Sequence, residues 1–414
     1  MSTTFYHTFP NGLRLVHRQA DIPVAYVGVM VGAGTRDETP EESGLAHFIE
    51  HCAFKGTERL SALQLLRRVE DVGAELNAYT TKEETVFYAA TPVKYTSRVV
   101  EVITDMILNP AFPAGEINKE KQVIVDEIES YNDSPSELIY DDFESLLFAP
   151  HPLSQPILGT KKSLRSLNGE KAKTFMQRHY SPNRCVFFSF SPMSAKQIIA
   201  MVEKYWQVTS VYNPQVKTDA PVSFRTAPDE YKAEELNLRR HTHQVHVMLG
   251  SRAYPIGHPK QLSMFLLNNL LGGGSLSSRL NLALREKKGL VYTIESNYTP
   301  LSDSGYWSVY FATEADEREQ CETLVLRELK TLREKPLSSA ALQRAKVQLH
   351  GQMAISAANL ENSALSMAKL MLYHNSAPTW KDTFREIDKL TAADLFHCAN
   401  EVFVENKISL LRYL

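Results

Sequence analysis

One order of predicted elements occurs twice, about 222 residues apart, and this repeat constrains the fold more than any other feature. Alternating apolar residues predict the strands, and an apolar residue every three to four positions predicts the helices. Each copy comprises a strand, a helix and a second helix after a proline: 85–91, 95–108 and 113–131, then 306–313, 316–334 and 338–354. The chain is therefore expected to contain two related halves.

The stretch 207–235 reads as a linker, because it is polar, contains three prolines and lies at the midpoint of the 414 residues. It separates an N-terminal domain, 1–206, from a C-terminal domain, 236–414. The expected fold class is α+β: two structurally related halves, each a mostly antiparallel sheet covered by helices. A duplication of this kind commonly leaves a cleft between its halves, where ligands bind.

Charge and apolar content exclude several classes of protein. Lys plus Arg total 45 and Asp plus Glu 48, a net charge of −3, so a polybasic nucleic-acid binder is not expected. No apolar run approaches the ~20 residues of a membrane span, and the N-terminus lacks the pattern of a signal peptide. The four cysteines are too far apart for a disulfide framework or a cysteine-based zinc site. A cytoplasmic protein with no membrane partner is the expectation.

The strongest motif is His47-Phe-Ile-Glu50-His51, within a predicted helix over 43–54. Positions i and i+4 of a helix lie one above the other, so His47 and His51 can offer two imidazole nitrogens to one cation. Glu50 flanks the same face. This H-x-x-E-H pattern is typical of hydrolytic zinc sites, whereas the alternative is two surface histidines on an amphipathic helix.

A third ligand has to come from elsewhere, and the helix after Pro113 supplies candidates. Glu120 and Glu127 are seven residues apart, so both project from one face of that helix. Taken alone, they can equally be solvated helix charges. The spacing leaves open whether Glu120, Glu127 or Glu129 reaches the metal.

Four segments together resemble the pitrilysin/insulinase family (M16) of zinc peptidases, and in particular its bacterial and mitochondrial-type processing peptidases of about 400 residues. These segments cover both halves and are far more specific than the five-residue motif: 44–57, 73–89, 120–128 and 272–307. The resemblance implies the family's two-domain fold, a bacterial source and a metallopeptidase activity.

The resemblance also assigns roles at the metal. It implies one Zn²⁺ per chain, with His47, His51 and Glu127 as its ligands. Glu50 becomes the general base that activates the zinc-bound water. Glu120 becomes the outer carboxylate that orients a ligand.

Five further residues match the family's substrate contacts. Arg285 and Tyr292, in the second half, match an Arg/Tyr pair that assists catalysis and holds the substrate; the alternative is a surface arginine and a strand tyrosine. Asn77 and Ala78 match the edge that pairs with an extended substrate, although a buried interior strand is the alternative. Phe54 matches the pocket residue beyond the scissile bond, or else faces the core.

The function expected from the resemblance is a zinc-dependent endopeptidase that hydrolyses peptides or unfolded segments enclosed in a chamber. In the family, four domains form such a chamber, so a chain of this length needs a partner. A homodimer is expected, and a heterodimer with a related inactive subunit is the alternative. The competing function is that of an inactive or structural subunit in such an assembly.

Overall fold

The computed structural model describes residues 3–206, 225–240 and 242–414. In chain order the strands are β1 (Thr3–Thr8), β2 (Arg14–Gln19), β3 (Val24–Val31), β4 (Glu75–Thr80), β5 (Thr85–Pro92), β6 (Cys185–Ser191), β7 (Glu235–Leu238), β8 (Val245–Arg252), β9 (Ile294–Pro300), β10 (Gly305–Thr313) and β11 (Ser409–Tyr413). The helices are α1 (Leu45–Ala53), α2 (Ala62–Glu70), α3 (Thr96–Leu108), α4 (Ala114–Asn132), α5 (Pro135–Phe148), α6 (Lys161–Ser166), α7 (Gly169–His179), α8 (Ala195–Tyr205), α9 (Gln261–Gly272), α10 (Arg318–Glu334), α11 (Ser339–Ala357), α12 (Leu360–His374), α13 (Trp380–Lys389) and α14 (Ala392–Val402).

The described residues form two compact units. The first contains described residues of 1–129, 155–224 and 356–378, and the second those of 130–154, 225–355 and 379–414. The predicted domains, 1–206 and 236–414, differ from these units because α5 packs on the sheet of the second unit and α12 on that of the first. Most of the predicted linker, residues 207–224, lies outside the described residues.

The two sheets share one topology. The first has the order β1-β2-β6-β3-β5-β4, and the second has the order β7-β11-β8-β10-β9. In each sheet one pair is parallel, β2 with β6 and β7 with β11, whereas the strands that follow in the order pair antiparallel. If β2 is matched to β7, every later strand has its counterpart. The expected α+β fold of two sheet-and-helix halves is confirmed.

Both faces of the first sheet are covered, which explains why every residue of β6 is buried. One face packs against α1, α3 and α8, and the other against apolar residues of α12 such as Met367 and Met371. Arg14 points toward α12 from β2, and its Nη1 donates to the carbonyl oxygens of Met371 and Leu372 at 3.1 Å each. This buried arginine therefore satisfies carbonyls in the last turn of the helix.

The second sheet is covered in the same way. α9, α10 and α14 pack on one face, whereas α5 packs on the other through Phe143 and Phe148. Arg252 of β8 donates to the carbonyl oxygen of Leu147 from both Nε and Nη2. An arginine on the sheet thus binds the last turn of the covering helix in both units. No helix among the described residues is long and apolar enough to cross a membrane.

Candidate metal centre

The helix that carries the histidine motif, α1, begins at a glycine with left-handed geometry. Gly44 is the N-cap residue with φ 87°, and it has no side chain with which to cap the helix. The carboxyl group of Glu38 takes that role, accepting hydrogen bonds from the backbone N–H groups of Gly44 at 2.8 Å and Ala46 at 2.7 Å. Burial raises the pKa of Glu38 to about 8. Glu38 therefore satisfies two N–H groups that the first turn leaves without partners.

The two histidines lie one above the other on α1, as the motif predicts. Their ring centroids are 4.5 Å apart, with the ring planes at 64°. Leu45, Phe48 and Ile49 are fully buried in the core of the first unit, so the orientation of the helix is set by packing. The histidines lie on a different face of the helix, where His47 is buried and His51 is half-buried.

Glu127 of α4 completes the cluster. Its Oε2 is 3.8 Å from Nε2 of His47 and 3.6 Å from Nε2 of His51. The potential ligand atoms of these three residues all lie within 4.8 Å of one another, and within the described residues they form the one group of this kind. The gaps are too long for hydrogen bonds, but they are near the ~3.4 Å edge of a tetrahedron with Zn–N and Zn–O bonds of about 2.1 Å. Two imidazoles and a carboxylate are a donor set that suits zinc.

His47 is held in the form that can bind a metal. Its side chain is buried, and burial, followed by the neighbouring His51, lowers its pKa to about 3. The imidazole is therefore neutral at pH 7, with a lone pair available on one nitrogen. Its buried Nδ1 has no hydrogen-bond partner within the described part of the chain.

Glu120 connects His51 to a lysine. Its Oε2 lies 3.1 Å from Nδ1 of His51, and its Oε1 lies 2.7 Å from Nζ of Lys55. With the Nδ1 hydrogen donated to this carboxylate, the lone pair of His51 is on Nε2, the nitrogen that faces Glu127. Glu120 thus contacts His51 from outside the three-residue cluster, and its role as an outer carboxylate stays a prediction.

Glu50 lies between the histidine cluster and the edge of the first sheet. The hydroxyl of Thr80, the last residue of β4, donates to its Oε2 at 2.5 Å. The pKa of Glu50 lies above its ordinary value because burial raises it by more than this hydrogen bond and His51 lower it. A partly desolvated carboxylate with a raised pKa is suited to accept a proton near neutral pH.

The remaining candidate residues of the first unit lie at three different places. Glu129, left open as a ligand by the spacing, forms an ion pair with Lys161 instead. Asn77 and Ala78 lie on β4, which is an edge strand, so their position differs from a buried interior strand. Phe54 is the C-cap of α1 and is half-buried against the core.

Arg285 and Tyr292 belong to the second unit, where they contact each other. The guanidinium carbon of Arg285 lies 5.7 Å from the centroid of the Tyr292 ring, a cation–π contact. Tyr292 is 82% exposed and precedes β9, and is not a strand residue. Arg285 lies in a π-helical turn, Asn281–Glu286, a rare geometry often found at functional sites.

Three contacts of the site were not expected from the sequence: those of Glu38, Lys55 and Thr80. A weak signal existed for Lys55, which directly follows the predicted helix and is four residues after His51. No sequence pattern joins Thr80 to Glu50 or Glu38 to the start of α1, because each contact depends on how separate elements pack.

The comparisons with known proteins bear on this site. One family model, described as insulinase (peptidase family M16), matches residues 14–161, and a second, described as the peptidase M16 inactive domain, matches residues 166–349. An uncharacterised zinc protease of Bacillus subtilis is 30% identical over 401 residues, covering 97% of this chain and 96% of its own length. The chain belongs to peptidase family M16. Within this M16 chain, the cluster of His47, His51 and Glu127 lies in the part that matches the insulinase model.

One further curated relative and two solved structures are also similar to this M16 chain. An uncharacterised zinc protease of Mycobacterium tuberculosis is 30% identical, covering 94% of this chain and 88% of its own length. A protease from Helicobacter pylori has a solved structure with a TM-score of 0.90 at 21% identity, and both chains are covered in full. An M16 inactive-domain protein from Pseudomonas fluorescens has a TM-score of 0.89 at 19% identity, with 99% of this chain and 98% of its own covered. The two structures establish the shared fold.

Proposed function

We propose that this M16 chain is a zinc-dependent endopeptidase, with His47, His51 and Glu127 as ligands of one Zn²⁺. The observation that carries the proposal is the convergence of these three side chains, whose donor atoms lie within 4.8 Å of one another beside the half-buried Glu50. The relatives described as zinc proteases support the choice of metal and of reaction.

The chain's own residues divide the work of hydrolysis. Zinc, when bound, acts as a Lewis acid and lowers the pKa of a coordinated water towards ~7. Glu50 takes a proton from the attacking water and can return it to the leaving amine. Thr80 holds the carboxylate of Glu50 by its hydrogen bond, and Glu120 holds His51 by Nδ1.

Substrates are proposed to be peptides and unfolded segments. An extended peptide can add to the free edge of β4 beside Asn77 and Ala78, which supplies main-chain hydrogen bonds with little dependence on sequence. Phe54 is proposed to favour an apolar residue after the cleaved bond. Arg285 and Tyr292 are proposed to hold substrate carbonyls and to donate to the developing oxyanion, which the exposed hydroxyl of Tyr292 suits.

Zinc content and hydrolysis test the proposal together. The purified chain should contain one zinc, and a zinc chelator should abolish cleavage of a quenched fluorescent peptide. Glu127→Gln should lose zinc, whereas Glu129→Gln, two residues further along α4, should keep it. Glu50→Gln should keep zinc and fold but lower kcat by at least about 100-fold. Full activity of Glu50→Gln would rule out its role as the base.

A structural or inactive subunit is the competing function, and the match of residues 166–349 to a model described as an inactive domain makes it concrete. A chain with no zinc and no chelator-sensitive hydrolysis would favour it. We propose a homodimer as the working assembly, with a heterodimer as the alternative. Light scattering at micromolar concentration, on the chain alone and after co-expression with related chains from its source, separates the two.

A further inference from the structure

We infer that Lys55 is a positioning residue for the metal centre: it holds Glu120 in the place from which Glu120 fixes His51. This inference rests on the proposed zinc site. Lys55 follows the end of α1, four residues after His51, and its Nζ lies 2.7 Å from Oε1 of Glu120.

The two oxygens of Glu120 have different partners, both supplied by the α1 region. Oε2 accepts from Nδ1 of His51 at 3.1 Å, and Oε1 accepts from Nζ of Lys55. The side chain of Glu120 is 8% exposed, so water has little access to replace either partner. A carboxylate held at both oxygens has one orientation, whereas a carboxylate held at one can rotate about its long side chain.

The orientation of Glu120 matters because it sets which nitrogen of His51 is free. While Nδ1–H donates to Glu120, the lone pair of His51 is on Nε2, which lies 3.6 Å from the carboxylate of Glu127. Loss of Lys55 removes one of the two restraints on Glu120. The ring of His51 then gains freedom, and part of its population no longer presents Nε2 to the metal.

Zinc affinity in Lys55→Gln is the test, measured by competition with a chromophoric chelator. Outer partners of metal ligands typically change affinity by about 10- to 100-fold, so the dissociation constant should rise by this factor. Lys55→Met, which keeps the aliphatic stem, should give the same result if Lys55→Gln folds poorly, and Lys55→Arg should recover most of the affinity. Lys119→Gln is the matched control, because the exposed Lys119 pairs with Glu116 and its loss removes the same charge.

A double-mutant cycle shows whether Lys55 acts through Glu120. Glu120→Gln alone should weaken zinc binding, and adding Lys55→Gln to it should cause no further loss. Additive losses, or an unchanged zinc affinity in Lys55→Gln, would overturn the inference while leaving the proposed function intact. A wild-type chain that binds zinc but does not hydrolyse peptides would overturn the proposed function and leave the inference about Lys55 intact. A wild-type chain that binds no zinc would overturn both.

Discussion

Gly44→Ala tests whether the metal centre depends on how α1 begins. Gly44 has a φ of 87°, a left-handed backbone conformation that residues with a side chain rarely adopt. A Cβ built at this position would lie 2.9 Å from Cα of Gly159 and 2.9 Å from the carbonyl oxygen of Leu158. Both contacts are backbone atoms, so neither can move away as a flexible side chain would. Gly159 has a positive φ of 69° itself, and its own path is therefore constrained.

The loss of unfolding free energy expected for Gly44→Ala has two parts. Holding a non-glycine residue in the left-handed region costs about 1–3 kcal/mol. The steric overlap with backbone adds about 1–3 kcal/mol unless the chain shifts. The sum of about 2–6 kcal/mol corresponds to a fall in Tm of roughly 5–20 °C for a unit of this size. If α1 shifts to relieve the overlap, His47 and His51 move with it, so zinc affinity falls as well.

Differential scanning calorimetry and chelator competition measure the two effects. Gly115→Ala is the matched control: Gly115 is an exposed residue of α4 with nothing within 4 Å of its built Cβ. That change should leave zinc affinity unaltered and raise stability by about 0.5–1 kcal/mol. If Gly44→Ala melts within about 2 °C of the wild type and binds zinc equally well, the argument from the start of α1 is wrong.

Three other substitutions probe the surroundings of the site. Thr80→Val removes the hydrogen bond to Glu50, worth about 1.5–3 kcal/mol to a charged group, so kcat should fall about 10- to 100-fold in steady-state assays. In the folded chain Glu38 keeps its proton up to about pH 8, whereas in the unfolded chain it loses the proton near pH 4.5. The unfolding free energy of the wild type therefore falls as pH rises between these values. Glu38→Gln should flatten this pH dependence. Glu83→Gln breaks the buried pair with Arg36, 2.6 Å apart, and should cost about 3–5 kcal/mol in urea unfolding.

Each of these has a control. Thr80→Ser keeps the hydroxyl and should keep kcat, so an equal loss in both variants would indicate packing and not hydrogen bonding. Glu41→Gln, at an exposed neighbour of the same loop, should preserve the pH slope that Glu38→Gln removes. Glu386→Gln, from the exposed pair with Lys389, should change stability far less than Glu83→Gln.

The sequence predicted the local elements closely but not their assignment to units. The helix expected over 95–108 is Thr96–Leu108, and the strand expected over 306–313 is Gly305–Thr313. Apolar periodicity reports which face of an element is buried, and it does so without naming the surface against which that face packs. For this reason a boundary expected from chain position at 207–235 does not show that α5 covers the second sheet and α12 the first.

At the candidate metal centre, too, the sequence pattern shows which side chains share a face but not what they contact. Spacing placed His47 and His51 on one helical face, and it left Glu120, Glu127 and Glu129 equivalent as third ligands. The structure distinguishes them by their partners: Glu127 faces both histidines, Glu120 accepts from His51, and Glu129 pairs with Lys161. The family resemblance implies Glu127 as the ligand, which stays a prediction. The sequence alone does not show how α4 packs against α1, and this packing decides which glutamate faces the histidines.

The length of α1 explains why so much of the site lies outside the motif. α1 has nine residues, whereas isolated helices shorter than ~12–15 residues are marginal in water. Its geometry must therefore come from its surroundings: Glu38 at its start, core packing along one side, and Glu120 of α4 near its end. The H-x-x-E-H motif contains two of the proposed ligands and the proposed base, and these contacts hold the helix that carries them. Substitutions at Gly44 or Lys55, neither of which is a ligand, should therefore weaken zinc binding, whereas loss of exposed charges on the same elements should not.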